Sequence, residues 1–237
     1  MSALTLVHLY PREMNIYGDT GNVLVLRKRL EWRGHEATVV AINVGDPLPS
    51  DADILLGGGG QDAAQGDIGR DFVSRGPTLR AMADDGVVML TICGTYQMLG
   101  HEFLTKDGDR IEGISVLDVA TKGSDTRLIG NNHIDTSWGR LVGFENHSGL
   151  TELGSDAEPL GRTVSGRGNN GSDLTEGAVR DNVFGTYLHG PVLAKSPQFA
   201  DELLSRALER RGLDRTLEPL DDSLAVAAAD VAVRRPR

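Results

Sequence analysis

Short blocks of β-branched and aliphatic residues alternate with stretches whose apolar positions recur three and four residues apart, and glycines mark most of the changeovers. Residues 4–10 read as a strand, after which Val23, Leu26 and Leu30 share a helical face that stops at Gly34. Residues 35–42 form a second strand. Beyond Pro47-Leu48-Pro49 a short one, Ile54-Leu55-Leu56, runs into Gly57-Gly58-Gly59-Gly60-Gln61-Asp62. Residues 62–85 are helical in part, with a second piece starting at Gly76-Pro77 and turning Leu79 and Met82 inward. The run Val87-Val88-Met89-Leu90-Thr91-Ile92 predicts a buried parallel strand that breaks at Cys93-Gly94 and resumes as helix up to Gly100. The pattern then loosens into strands at 114–120, 128–134 and 141–147, a mixed or antiparallel extension of the sheet. Residues 164–173, rich in Gly, Asn and Ser, predict an exposed loop, and 183–189 a short strand turned aside by Gly190-Pro191. Phe199, Leu203, Leu204 and Leu208 share one face of a helix over 197–211, and a short helix over 224–233 ends the chain. The alternation predicts an α/β fold with a mostly parallel central sheet, in a single domain over 1–237.

Composition narrows the class. A length of 237 residues with 39% hydrophobic and 24% charged positions suits one soluble α/β domain, and no run approaches the roughly 18 apolar residues of a membrane span. Met1 leads into a strand with no basic and apolar leader before it, so no signal peptide and a cytoplasmic location are expected. The single cysteine excludes an intramolecular disulfide and fits a reducing compartment. A net charge of -10 argues against nucleic acid or an anionic membrane as the main partner. Lysines are few, only Lys28, Lys106, Lys122 and Lys195. The nearest match to a phosphate-binding loop, Gly190-Pro191-Val192-Leu193-Ala194-Lys195-Ser196, has Ala194 in place of the second glycine and loses an amide at Pro191. Activation by ATP is therefore not expected in this chain, nor is a metal site.

Reactive residue types fall at strand ends. Cys93 stands where the chain turns from strand to helix beside a glycine, whereas a packing cysteine belongs inside the strand with Val88 and Leu90. That is the layout of a nucleophile elbow: the helix N-terminus favours a thiolate, and the Gly94 amide is free to hold an oxyanion. The glycine run brings bare amides to the carboxyl edge, where ligands sit in open α/β sheets, so one of Gly58, Gly59 or Gly60 is a candidate for the second oxyanion donor. A tightly turned connection is the other reading of that run. His189, at a strand end, is placed to serve Cys93 as general base, although a single histidine also packs or caps. The polar loop 15–22 offers Asp19, Thr20 or Asn22 as caps for the helix that follows.

The stretches Cys93-Gly94-Thr95-Tyr96-Gln97-Met98-Leu99-Gly100 and Gly185-Thr186-Tyr187-Leu188-His189-Gly190, in this order and about 95 residues apart, resemble the class I glutamine amidotransferases. Within that class the chain is similar to the CobB/CobQ-like branch that serves cobyric acid synthase and lipid II isoglutaminyl synthase. Tyr17-Gly18-Asp19-Thr20-Gly21-Asn22 and Thr126-Arg127-Leu128-Ile129-Gly130-Asn131 resemble the GatD-type subunits of the second. The resemblance spans most of the chain and implies a flavodoxin-like three-layer sandwich. It implies that Cys93 attacks the side-chain amide of L-glutamine, that His189 shuttles protons, and that Arg127 holds the amino-acid carboxylate through its planar guanidinium; a surface arginine is the alternative. Gly143-Phe144-Glu145-Asn146-His147-Ser148-Gly149 also resembles an amidotransferase stretch, without an assigned role.

The chain departs from the class at Pro191, where many members carry a Glu that orients the imidazole. A carboxylate elsewhere, Glu145 first, or one from another chain would complete a triad; otherwise the pair works as a dyad. The implied consumer of ammonia is a Mur-ligase-like (MurT-type) synthetase that binds ATP and Mg and amidates the D-glutamate α-carboxylate of lipid II. Two rivals stand beside it. One is the glutaminase of a cobyrinate-type enzyme, whose synthetase precedes it in the same chain, against which the start of this chain counts. The other is a stand-alone Cys-His γ-glutamyl hydrolase.

Overall fold

The computed structural model describes residues 3–60 and 65–235, so the expected end of the glycine loop at Gln61-Asp62 lies outside the described residues. Strands β1 (Ala3–Leu9), β2 (Glu36–Ile42), β3 (Ile54–Gly57) and β4 (Val88–Ile92) come first, followed along the chain by β5 (Glu102–Leu104), β6 (Arg110–Glu112), β7 (Val119–Thr136), β8 (Gly139–Leu153), β9 (Gly161–Ser165), β10 (Thr175–Glu176), β11 (Ala178–Arg180) and β12 (Val183–Thr186). The central sheet has the order β11-β12-β4-β3-β1-β2. All its pairings are parallel except β11 with β12. Strands β3, β4 and β12 are buried along their whole length, which is why they read as unbroken apolar runs rather than alternating ones.

Helices cover both faces. Helices α1 (Thr20–Glu31) and α5 (Pro197–Arg210) close one side over Leu4, Leu6, Leu90 and Phe184. On the other side α2 (Gln65–Ser74), α3 (Gly76–Asp84) and α4 (Gly94–Leu99) cover Val7, Leu55 and Met89 with Phe72, Leu79 and Tyr96. The result is the expected three-layer sandwich with a mostly parallel centre. A last helix, α6 (Ser223–Arg234), follows a connector and contributes no buried residue.

The later strands depart from expectation in two ways. They do not extend the central sheet but build a second one, β10-β9-β7-β5-β6 with β8 paired to β7, whose main feature is the long β7–β8 hairpin. Single bridges, Phe144 to His189 and Glu158 to Val179, tie it to the first sheet. Residues 114–117 are not in a strand: the amides of Ile114, Ser115, Val116 and Leu117 instead take the carbonyls of Met98, Gly100 and Leu99, capping α4, and pairing starts only at Val119. The stretch 164–173 is less exposed than its composition predicts. Ser165 belongs to β9, and Asn169 is fully buried, bonded to Gly177, Thr175 and the Tyr96 hydroxyl.

Candidate active site

Strands β1, β3, β4 and β12 run the same way, so their carboxyl ends share one edge, and the reactive residues gather there. Cys93 takes φ 54° and ψ -106° between β4 and α4, a conformation that costs a side-chain-bearing residue about 1–3 kcal/mol. The surroundings hold it there. Its amide donates to Thr186 O (2.9 Å), its carbonyl accepts the Gln97 amide (2.9 Å), and Thr95 Oγ1 accepts the Ile92 amide (3.0 Å) and sits 3.0 Å from Gly58 O. Cys93 is 9% exposed at the start of a helix whose first amides have no partner within the helix.

His189, just beyond β12, is fully buried. Its amide and carbonyl pair with Phe144 of β8 (2.8 and 3.3 Å), and its ring lies against the rings of Tyr17 (centroids 4.5 Å apart) and Phe144 (5.6 Å). Nδ1 stands 3.0 Å from Asp19 Oδ2, while Nε2 makes no hydrogen bond of ordinary geometry. A Cβ built on Gly59 would meet His189 Cε1 at 2.6 Å and Cys93 Cβ at 3.1 Å, so thiol and imidazole share one narrow space against that glycine. Burial pulls the His189 pKa down, but the Asp19 carboxylate and the Cys93 sulfur outweigh it and carry the value up to about 9. The imidazole is therefore charged at neutral pH and suited to face a thiolate.

Asp19 supplies the carboxylate that Pro191 left open. Only 4% exposed, it occupies the N-cap position of α1 yet makes no cap bond with its side chain; Oδ2 instead accepts from His189 and from the Gly59 amide (3.0 Å). The alternatives fall away on geometry. Glu145 is buried elsewhere, accepting from Asn132 Nδ2 (2.8 Å) and the amides of Arg167 (2.7 Å) and Gly168 (2.9 Å). A carboxylate from another chain is not needed to orient the ring. Pro191 has a packing role: a Cβ on Gly21 would lie 2.1 Å from Pro191 Cγ, so the first turn of α1 rests on the turn after His189. The signal that could have found Asp19 is the glycine-flanked loop at the end of the first strand.

The glycine run separates into different tasks. The Gly59 amide is engaged by Asp19 and is not available to an oxyanion. Gly58 offers its carbonyl to Thr95, and a side chain there would strike Met14 O at 2.2 Å. The Gly60 nitrogen lies 3.8 Å from the position a Cβ on Gly94 would take, so the Gly60 backbone is near Gly94 beside the elbow.

Arg127 sits in the irregular stretch of β7 between Gly123 and Leu128, where the register against β8 shifts. Its guanidinium donates to the side chain and carbonyl of Asn146, and it lines a cleft of about 390 Å³ with Phe103, Ile111 and Ser148. Phe103 and Ile111 also line the crevice beside Gly94 and Gln97, so the two clefts adjoin. His147 is stacked on Tyr187 (3.6 Å, 8°); burial, outweighing the bond to Gly149 O that pulls the other way, brings its pKa down to about 4, so it is neutral. Among the described residues no His, Cys, Asp or Glu side chains converge as a metal site.

An elbow cysteine, a buried histidine and a carboxylate at the carboxyl edge of a parallel sheet, with glycine backbone beside them, are the equipment of a glutamine amidotransferase. The profile of the CobB/CobQ-like glutamine amidotransferase domain matches residues 5–197, and the chain belongs to that family. It is 38% identical to the GatD subunit of the glutamine-hydrolysing lipid II isoglutaminyl synthase of Staphylococcus aureus, over 99% of this chain and 97% of that one. The corresponding subunit of Streptococcus pneumoniae is 37% identical, over 96% and 89%. Against a probable cobyric acid synthase of Methanosphaera stadtmanae identity is 37% over 42% of this chain and 22% of the other. Solved structures agree in fold: a glutamine amidotransferase (TM-score 0.58, 16% identity, 85% of this chain and 98% of that one) and PurLQS from Thermotoga maritima (TM-score 0.54, 19%, 80% and 88%). No helix among the described residues is long and apolar enough to cross a membrane.

Proposed function

We propose that this chain is the glutaminase subunit of a lipid II isoglutaminyl synthase, hydrolysing L-glutamine at Cys93 and passing ammonia to a synthetase subunit. The observation that carries the reading is the Cys93–His189–Asp19 constellation in a chain similar over nearly its whole length to two GatD subunits. The Cys93 thiolate adds to the γ-carboxamide carbon, and the oxyanion is held by the Gly94 amide with that of Gly60 as partner. The imidazolium of His189 protonates the departing nitrogen, ammonia leaves and a γ-glutamyl thioester remains. Water then gives a proton to His189, attacks the thioester and releases glutamate with the thiolate restored. Asp19 keeps the ring in place throughout, and Arg127 binds the α-carboxylate of the substrate.

Ammonia needs an acceptor activated elsewhere. The reading assigns ATP and Mg to a Mur-ligase-like partner that amidates the D-glutamate α-carboxylate of lipid II to D-isoglutamine, and it implies a cytoplasmic location. Replacing Cys93→Ser tests it: the expected outcome is a folded chain with no glutamine-dependent amidation in the complex, while added ammonium restores synthesis. Glutamine hydrolysis persisting in that variant would overturn the assignment.

A further inference from the structure

Helix α6 carries apolar residues on two faces. Ala225, Ala229, Ala232 and Val233 are partly covered by the body, while Leu224, Ala227, Ala228 and Val231 are exposed at spacings of three, four and seven, Leu224 to 85% and Val231 to 53%. Such a stripe is what a helix presents to a neighbour, and here none of the described residues covers it. The helix is nonetheless held firmly. Asp222, at its N-cap, takes Nη1 and Nη2 of Arg29 (2.5 and 3.0 Å), a side chain that is 5% exposed and also grips Asp201 (2.6 and 2.7 Å), and Arg33 Nε binds Glu218 O (2.7 Å) in the connector. A buried arginine thus fixes the entrance to a helix that adds nothing to the core.

Between α6 and the β7–β8 hairpin runs a groove of about 490 Å³. Phe144 forms part of its wall, the same ring that touches His189. Among its described lining residues are two cations, Lys195 and Arg235, and no carboxylate, in a chain of net charge -10. Among the described residues, Lys195 Nζ bonds to the carbonyls of Gly190 and Pro191 and to no carboxylate. The family profile ends at residue 197, whereas the matches to the two GatD subunits cover 99% and 96% of this chain. The arm is therefore shared with relatives that are separate subunits by name, and lies beyond what the domain profile matches.

We infer that the exposed stripe of α6 and the adjoining groove are where the synthetase subunit docks, through an apolar helix or loop that carries carboxylates to Lys195 and Arg235. The inference rests on the partnered reading above. It brings the consumer of ammonia to within one aromatic ring of His189, and the cationic rim selects an acidic partner and speeds its approach.

The test uses the full chain and the Mur-ligase-like synthetase subunit of the same organism, with affinity measured by calorimetry. The paired change Ala228→Glu and Val231→Glu, both on exposed positions, is expected to weaken association at least tenfold while melting temperature and glutamate release by the isolated chain stay unchanged. Arg235→Glu is expected to weaken it less and to reduce its dependence on salt. Wild type and variants binding alike would overturn the docking site and leave the partnered function standing. Wild type failing to bind the synthetase at all would overturn that function, and the docking site with it.

Discussion

One oxygen of Asp19 accepts both the His189 ring and the Gly59 amide at 3.0 Å, so a single carboxylate sets the tilt of the imidazole and the path of the glycine run. Asp19→Asn should lower kcat for glutamine hydrolysis by roughly 10²–10⁴, the range associated with losing the partner of a catalytic imidazole. The pH profile checks the cause. His189 is raised to about 9, so its charged form is lost as pH rises through that value, and with it the acid that the proposed mechanism uses on the departing nitrogen. Removing the carboxylate lowers the pKa and must shift the alkaline limb toward neutrality; a limb that stays in place would assign Asp19 to packing alone. At Arg127, substitution by Ala should raise KM for glutamine about tenfold or more, matching a charged hydrogen bond of roughly 1.5–3 kcal/mol, while alkylation of Cys93 by a small reagent is unchanged. Cys93 and His189 were legible because each ends an apolar run beside glycine. Asp19 was not: it lies 170 positions from its partner, and an acidic residue before a helix reads equally well as a cap.

Elements were legible where burial is two-sided and blurred where it is not. The unbroken runs of β3, β4 and β12 announce a parallel sheet, whereas the alternation in β7 and β8 is compatible with joining that sheet or leaving it, and only pairing decides. Departure of β7 and β8 creates the hairpin that brings Phe144 to His189 and lets the irregular stretch of β7 carry Arg127 to the cleft. On the opposite side, α1 delivers Asp19 only because Gly21 allows contact with Pro191. Gly21→Ala should displace that turn and cut kcat by tenfold or more, since overpacking of this kind costs about 1–3 kcal/mol. Adding Pro191→Gly removes the obstacle, and recovery of kcat in the double variant is the expected result. Equal loss in single and double variants would rule out this contact as the cause.

Across the whole molecule the two sheets meet at a buried carboxylate. Glu176 of β10 accepts from the Tyr187 amide (2.6 Å) and the Thr186 hydroxyl (3.0 Å) at the end of β12. Burial raises its pKa from the ordinary 4.5 to about 7, against the pull of those donors. The folded state thus binds more protons than the unfolded one between these values, so this group's contribution to stability is present below about 4.5 and lost as pH rises through 7. Glu176→Gln should remove that loss: the gap between variant and wild-type melting temperatures should widen in favour of the variant from pH 5 to 8. Parallel curves would place the proton elsewhere. Arg29 joins the ends of the chain in a comparable way, with Asp201 on α5 and Asp222 before α6 sharing one guanidinium. A molecule nicked in the connector would lose half of that buried charge's compensation together with the arm, so damage to the surface that α6 presents is registered as a weakened interior, and clipped copies become the ones that proteases clear first.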